Sequence, residues 1–256
     1  MGAAQFSMAG EVVLVTGARQ GIGKTFALDF AQAGADVAIC DINTEDGELQ
    51  TVASEIEKLG RHSLAVRADI SNKSDVDNMV ERVMDRFGRI DVLVNNAGVA
   101  IRMPLMEIAE NDWDNVMSVN VKGYYLCAQA VAKRMIEHKK GVIINLAASL
   151  YSFRVTPSMG LYATSKAAVA MLTRALAQEL GKFGIRVNAI APGFVKTEFS
   201  RYRWSNPEFL KKFEAAVPLG RIAETADLTG LALFLCSRAA EFVTGQIIAV
   251  DGGEGI

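Results

Sequence analysis

The chain alternates short apolar runs rich in valine and isoleucine with longer segments of helical periodicity, and this alternation restricts its possible folds more than any other feature. Each run is apolar throughout, as in strands that are buried on both faces of a parallel sheet. Repeated strand–helix units of one hand build a doubly wound α/β sheet with helices on both faces. The seven predicted strands are residues 12–15, 36–40, 63–66, 91–94, 142–145, 186–190 and 246–250.

Helical segments fill most of the sequence between these strands. With 256 residues, half of them hydrophobic, we expect the whole chain, 1–256, to form a single domain. The one long irregular connection is predicted at 194–218, after the sixth strand. Because loops at the carboxyl ends of parallel strands carry ligands, this insert is expected to be a substrate lid, with a simple surface excursion as the alternative. The predicted helices are 22–33, 44–59, 73–87, 111–138, 161–182 and 225–237.

Composition and charge argue against several functional classes. The net charge of −2 shows no basic excess, so neither nucleic acid nor an anionic membrane is an expected partner. No apolar run is long enough to span a bilayer. The three separated cysteines, Cys40, Cys127 and Cys236, fit reduced thiols in a cytoplasmic protein. His62 and His138 have no further ligands at metal-binding spacing, so no metal site is expected.

A glycine-rich segment, Thr16 to Gly23, joins the first predicted strand to the first helix. Gly17, Gly21 and Gly23 permit a sharp turn and a close approach of the backbone to a pyrophosphate, while the helix N-terminus offers free N–H groups. The spacing G-x-x-x-G-x-G differs from the commoner G-x-G-x-x-G. Its position between strand and helix indicates a dinucleotide site.

Two carboxylates extend this prediction. Asp41 ends the second strand, where it can accept hydrogen bonds from an adenosine ribose and repel a 2′-phosphate, so the cofactor is expected to be NAD rather than NADP. Arg19 argues the other way, because a guanidinium near the ribose can bind a phosphate. Asp69 ends the third strand, where it either faces the adenine or caps the helix that follows.

Tyr162 and Lys166 are four residues apart in a predicted helix and therefore share one face. A cation about 5 Å from a phenol at an effective dielectric constant of about 20 lowers the phenol pKa by roughly two units. A tyrosine titrates near 10, so this brings Tyr162 toward neutral pH, where it can exchange a proton with a substrate hydroxyl.

Taken together, these motifs resemble the classical short-chain dehydrogenase/reductase family, whose members have a Rossmann fold. The resemblance covers nearly the whole chain, and the order and spacing of the motifs make it specific. The residues that carry it are Thr16 to Gly23, Asp41, Asp69, Asn95 to Gly98, Asn120, Ser149, Tyr162 to Lys166, Pro192-Gly193 and Asp251 to Gly253.

The resemblance implies a catalytic set of Asn120, Ser149, Tyr162 and Lys166. Tyr162 would exchange the proton, Lys166 would bind the nicotinamide ribose, and Ser149 would hydrogen-bond the substrate oxygen. Asn120 would hold a helix distortion and, with Lys166, a water chain. The implied cofactor-binding residues are Gly17, Arg19, Gly21, Ile22, Gly23, Asp41, Asp69, Ile70, Asn96, Tyr162, Lys166, Val195 and Thr197.

The catalytic serine departs from the family pattern. In the family it commonly lies three residues after the strand asparagine, but here Asn145 plus three is Ala148. The spacing back from Tyr162 is as expected, so Ser149 is assigned. Ser152 is the alternative if the loop is shifted.

These residues predict reversible hydride transfer between NAD and a secondary alcohol or ketone. A sugar, polyol or hydroxy acid is the first choice of substrate, with a 3-oxoacyl thioester as the alternative and a non-catalytic dinucleotide-binding protein as a third possibility. Long helices that are apolar on more than one side, and the family resemblance, suggest a homotetramer. The residues that are candidates for binding the substrate, possibly through an anionic group, are Arg102, Tyr151, Phe153, Arg154, Arg201, Tyr202, Arg203 and Trp204.

Overall fold

A computed structural model describes residues 6–149 and 155–256. It contains one parallel seven-stranded sheet of order β3-β2-β1-β4-β5-β6-β7, which confirms the predicted doubly wound α/β fold. Each predicted strand is present within two residues of its predicted ends. The strands are β1 Val12–Thr16, β2 Asp36–Asp41, β3 Ser63–Arg67, β4 Val92–Asn95, β5 Gly141–Leu146, β6 Ile185–Pro192 and β7 Ile247–Val250.

Helices cover both faces of the sheet, because successive residues of a buried strand point to opposite sides. The α-helices are α1 Gly21–Gln32, α2 Glu48–Lys58, α3 Lys73–Phe87, α4 Glu110–Met117, α5 Tyr124–His138, α6 Gly160–Leu180, α7 Arg201–Trp204, α8 Pro207–Ala216 and α9 Thr229–Cys236. Val12 and Leu14 of β1 face the core under α3, α5 and α6, whereas Val13 and Val15 face the core under α1, α2 and α9.

Two helix predictions need correction. Helix α2 begins at Glu48 rather than at residue 44, because Gly47 adopts a left-handed φ of 74° that ends any helical continuity before it. The predicted helix 111–138 is interrupted by a π-helical segment, Ser118–Gly123. Gly123 lies in this segment against Ile70, whose side chain would be 2.8 Å from any added Cβ. The bulge therefore lies beside the carboxyl end of β3.

The prediction of an irregular connection at 194–218 is wrong. This segment, called the insert below, contains a 3₁₀ turn at Glu198–Ser200 followed by α7 and α8. Helix α8 starts at an Asn206 cap whose side chain accepts hydrogen bonds from the Glu208 and Phe209 amides, with Pro207 in the first turn. The sequence Asn206-Pro207-Glu208 is a typical helix N-terminus and indicates where this helix begins.

The sheet order reverses between β1 and β4, which leaves a crevice at the carboxyl ends of these strands. The loops that follow β1, β4, β5 and β6 all emerge at this edge. Within the described residues, no helix is both long and apolar enough to cross a membrane.

Candidate active site

A cleft of about 480 Å³ opens at the crevice. Twelve of the thirteen predicted cofactor-binding residues line it, and the thirteenth, Gly23, lies directly behind the wall. The lining includes Gly17, Arg19, Gly21, Ile22, Asp41, Asp69, Ile70, Asn96, Tyr162, Lys166, Val195 and Thr197.

The loop of residues 17–23, called the glycine loop below, is closely packed at its two ends. A Cβ on Gly17 would lie 2.6 Å from the Ala97 Cα, and one on Gly23 would lie 2.3 Å from the Gly17 carbonyl oxygen. Asn96 fixes the loop from β4, because its Nδ2 donates to the carbonyl oxygens of Thr16 and Gly17, both at 2.9 Å. Side chains larger than hydrogen are therefore excluded here by backbone atoms.

The N-terminus of α1 faces the cleft without a capping side chain among the described residues. Its N-cap is Gln20, whose side chain makes no cap hydrogen bond, and the first turn carries no acidic residue. Such an end offers backbone N–H groups and the positive end of the helix dipole to an anion. This arrangement fits the pyrophosphate of a dinucleotide.

Asp41 lines the cleft at the end of β2, and its Oδ1 accepts the Asn43 amide at 3.0 Å. Arg19, the residue that argued for a 2′-phosphate, is ion-paired with Asp46. Arg19 and Asp41 both line the cleft, and one guanidinium nitrogen of Arg19 is engaged by Asp46.

Asp69 lines the cleft but does not cap α3. Its Oδ1 accepts hydrogen bonds from the Ser71 amide and hydroxyl at 2.9 and 2.7 Å. The N-cap of α3 is Asn72, which accepts from the Ser74 amide. The capping alternative for Asp69 is therefore wrong, and the carboxylate stays at the rim of the cleft.

Tyr162 and Lys166 lie in the first two turns of α6, with the Lys166 Nζ 5.6 Å from the centre of the Tyr162 ring. Lys166 is 3% exposed, and its Nζ donates to the Leu146 carbonyl oxygen at 2.7 Å. Burial lowers the pKa of Lys166 to about 7. Before a cofactor binds, the ammonium is therefore only partly charged at neutral pH, so the full cation assumed for the phenol pKa argument is not supplied by lysine alone.

Asn120 lies in the π-helical segment and is completely buried. Its Oδ1 accepts the Val99 amide, and its Nδ2 donates to the Val99 carbonyl oxygen and to the Ser165 Oγ, each at 2.9 Å. The side chain thus connects the loop after β4 to α6, one residue before Lys166.

Ser149 follows β5, and its amide donates to the Pro192 carbonyl oxygen at 2.8 Å. Its hydroxyl donates to the Asp251 carboxylate, 102 residues further along the chain. Ala148 lines the cleft, whereas Ser149 is not among the described residues that do so. No local pattern in the sequence indicates this pairing, and Ser152 lies outside the described residues.

The other end of the cleft is bounded by the insert and by the loop after β4. The Arg102 guanidinium lies 3.8 Å from the Tyr202 ring centre and 5.3 Å from that of Phe199, which in turn lies 6.1 Å from the Tyr162 ring. Arg203 also lines this end.

The structure does not bring together all of the predicted substrate residues. Arg201 and Trp204 are not among the described residues that line the cleft. Arg201 pairs with Glu198, and the Trp204 indole donates to the Thr197 carbonyl oxygen. The predictions for Tyr151, Phe153 and Arg154 fall outside the described residues. Among the described residues, no cluster of three or more potential metal ligands occurs.

Comparison with known proteins gives long matches at high similarity. A family model described as enoyl-(acyl carrier protein) reductase matches residues 17–254. The chain is 43% identical to the (2S)-[(R)-hydroxy(phenyl)methyl]succinyl-CoA dehydrogenase subunit BbsD of Thauera aromatica, over 96% of each chain. It is 38% identical to the 5-keto-D-gluconate 5-reductase of Escherichia coli K12, over 97% of this chain and 96% of the relative.

A solved structure gives the same result at the level of the fold. The gluconate 5-dehydrogenase of Burkholderia cenocepacia, in complex with NADP and tartrate, superposes with a TM-score of 0.93 at 36% identity, over 98% of both chains. The sequence resemblance is thereby confirmed. The chain belongs to the classical short-chain dehydrogenase/reductase family of oxidoreductases.

Proposed function

We propose that this oxidoreductase transfers a hydride reversibly between NAD and the carbinol carbon of a secondary alcohol that carries a carboxylate, such as a sugar acid or another hydroxy acid. The observation that carries the proposal is the Tyr162–Lys166 pair, which lies in a dinucleotide-shaped cleft between the glycine loop and an arginine-bearing insert. When bound, the nicotinamide supplies the hydride acceptor.

The side chains divide the remaining work. Tyr162 removes the hydroxyl proton of the substrate, and Lys166, with a pKa of about 7, keeps the proton exchange possible near neutral pH. Ser149 holds the substrate oxygen, and Asn120 positions α6 through Ser165. Val195 and Thr197 line the cofactor end of the insert, where they are proposed to contact the carboxamide.

NAD is proposed because Asp41 lines the adenosine end of the cleft and Asp46 engages Arg19. A 2′-phosphate there would approach the Asp41 carboxylate, and two anions repel each other at short range. The Burkholderia relative was solved with NADP, so the cofactor preference of this chain has to be measured directly. The ratio of kcat/KM with NAD to kcat/KM with NADP tests it, and a ratio below one would contradict the choice.

The substrate class rests on Arg102. This side chain lines the cleft, and no carboxylate of the described residues lies within ion-pair distance of it. Its guanidinium contacts the Phe199 ring, and the Phe199 ring in turn contacts the Tyr162 ring. The names of the relatives point to the same chemistry, since gluconate and a substituted succinyl group both carry a carboxylate. Guanidinium groups bind carboxylates through two parallel hydrogen bonds.

The alternative of a 3-oxoacyl thioester reductase uses the same catalytic residues and differs in substrate and cofactor. It predicts turnover of acetoacetyl thioesters with NADPH in preference to hydroxy acids with NAD. Assays of both pairs on one enzyme preparation separate the two.

The direct test is a screen of hydroxy acids, sugars and polyols with NAD, following NADH absorbance. Replacing Tyr162 by Phe is expected to reduce turnover about 10³-fold while the variant keeps its melting temperature and still binds NADH, because only the proton-exchanging hydroxyl is lost. Wild-type turnover in Tyr162→Phe would overturn the assignment.

A homotetramer remains part of the proposal. Trp113 in α4, Tyr125 in α5 and Met171 in α6 are 39%, 44% and 60% exposed, and they lie on the helices that were predicted to have a second apolar side. Light scattering tests it, and a monomer at all concentrations would contradict it.

A further inference from the structure

The hydroxyl of Ser149 is already engaged by the protein. Its oxygen lies against the Asp251 carboxylate, and the residue is only 6% exposed. An ionised carboxylate has no proton to give, so the serine must be the donor in this bond. A serine has one hydroxyl proton, and here that proton points to Asp251 rather than to the cleft.

Asp251 belongs to a compact turn, residues 251–255, called the Asp251 turn below. Asp251 Oδ1 accepts the Gly253 amide at 3.0 Å, and the amide of Leu219, the residue directly after the insert, donates to the Gly252 carbonyl oxygen at 3.1 Å. A Cβ on Gly255 would lie 3.5 Å from the Ser149 Oγ. The turn therefore covers the serine and is attached to the insert.

The fit of this turn depends on Gly193 beside the cleft. A Cβ there would lie 2.6 Å from the Asp251 Cβ and 2.8 Å from the Glu254 carboxylate. The two carboxylates of the turn have different partners, because Glu254 accepts the Phe194 amide at 3.1 Å rather than a bond from Ser149. Glu254 is thus a matched carboxylate in the same turn, and among the described residues its hydrogen-bond donor is the Phe194 amide rather than Ser149.

We propose that Asp251 is a positioning residue that competes with the substrate oxygen for the Ser149 proton, so that the Asp251 turn controls when Ser149 can act as a hydrogen-bond donor. The inference rests on the proposed function. A ketone oxygen only accepts hydrogen bonds, so it needs the serine proton, whereas an alcohol can donate its own proton to the serine oxygen. With Asp251 in place, Ser149 is set to receive an alcohol, and a ketone must first draw the proton away from the carboxylate.

The test is Asp251→Asn. Asparagine keeps the shape and the acceptor for the Gly253 amide, and its NH₂ group can donate to the serine oxygen, which releases the serine proton toward the cleft. Because one oxyanion donor is worth about 10²–10³ in rate, we expect kcat for reduction of 5-keto-D-gluconate with NADH to rise about tenfold. Glu254→Gln, the matched control, should change it less than twofold.

The rate increase in Asp251→Asn is expected to require the Ser149 hydroxyl. In a Ser149→Ala background, Asp251→Asn should leave the residual rate unchanged. An unchanged or lower rate in Asp251→Asn, an equal gain in Glu254→Gln, or a gain that persists without the serine would each overturn the proposal.

A second measurement needs neither substrate nor cofactor. In Ser149→Cys, alkylation by iodoacetamide reports the surroundings of the introduced thiol, and adding Asp251→Asn should speed it about tenfold, because the loss of a neighbouring carboxylate favours the thiolate. Cys40 and Cys127 give a low background, because both are buried and burial raises their thiol pKa values. The contribution of the partly exposed Cys236 is measured in the protein that retains Ser149. Equal alkylation rates would overturn the contact itself. Absence of hydride transfer by the wild type would instead refute the proposed function.

Discussion

The two ends of the cleft are built in different ways. The cofactor end consists of backbone packed against backbone and fixed by the Asn96 side chain, and a Cβ on Gly17 or Gly23 would collide with main-chain atoms there. The substrate end consists of side chains on the insert, several of them exposed, such as Phe199 at 45% and Tyr202 at 48%. Substitutions in the glycine loop are therefore expected to change both folding stability and cofactor binding. Substitutions at the substrate end are expected to change only the choice of substrate.

The largest effect is expected at the glycine loop. Gly17→Ala places a Cβ 2.6 Å from the Ala97 Cα at a φ of 65°. At Gly47 the φ is 74°, and no atom of the described residues beyond its chain neighbours lies within 4 Å of an added Cβ. We expect a loss of about 3 kcal/mol in unfolding free energy and of NAD binding for Gly17→Ala, against about 1 kcal/mol and normal binding for Gly47→Ala. Urea unfolding and NADH fluorescence measure both. Equal losses of unfolding free energy in the two variants would mean that collision of the added Cβ with backbone atoms is not what excludes side chains from the glycine loop.

The next effect concerns cofactor choice. Asp41→Asn should change the ratio of kcat/KM with NAD to kcat/KM with NADP about 100-fold toward NADP, because it removes the charge that repels a 2′-phosphate. Asp46→Asn, which frees Arg19 from its ion pair, should move the ratio in the same direction by about tenfold or less. A larger shift from Asp46 than from Asp41 would assign the discrimination to Arg19.

Lys166, between the two ends, gives a pH signature. Burial lowers the pKa of Lys166 to about 7, from its ordinary value of 10.5. Between these values the unfolded chain binds the proton that the folded protein releases, so the stability of the cofactor-free protein rises with pH in this window. From pH 7 to 8.5 we expect the wild type to gain about 1.5 kcal/mol more than Lys166→Met. Parallel stability curves for the two proteins in urea would contradict this.

The smallest effect is expected at the substrate end. Arg102→Gln should lower kcat/KM for gluconate about tenfold and leave the rate with the uncharged gluconamide within twofold, because gluconamide has no carboxylate for the guanidinium to bind. The contacts of Arg102 with the Tyr202 and Phe199 rings are lost in both assays, so they cancel in the comparison. Arg201→Gln is the control, since Arg201 is exposed and paired with Glu198. Both variants should keep the wild-type melting temperature. Equal losses of kcat/KM on the charged and uncharged substrates would contradict the proposal that Arg102 binds a substrate carboxylate.

The same contrast explains which features of the protein could be predicted from its sequence. Strands, helices and the glycine loop depend on local periodicity and on φ angles that glycine alone adopts easily, so they could be predicted. The contact between Ser149 and Asp251 joins residues 102 positions apart, and no local pattern encodes it. The lowered pKa of Lys166 likewise depends on burial by tertiary packing. The helices of the insert were missed although Asn206 and Pro207 form a recognisable helix start.

The position of Thr197 has a consequence for the order of binding. A Cβ on Gly21 of the glycine loop would lie 3.5 Å from the Thr197 side chain, so the loop and the insert meet at this point. A dinucleotide bound along the loop would therefore complete the wall against which the second ligand binds. This arrangement favours a compulsory-order kinetic scheme, in which the nucleotide enters first and leaves last. Product inhibition by NADH that is competitive with NAD and noncompetitive with the alcohol is the steady-state pattern expected from it.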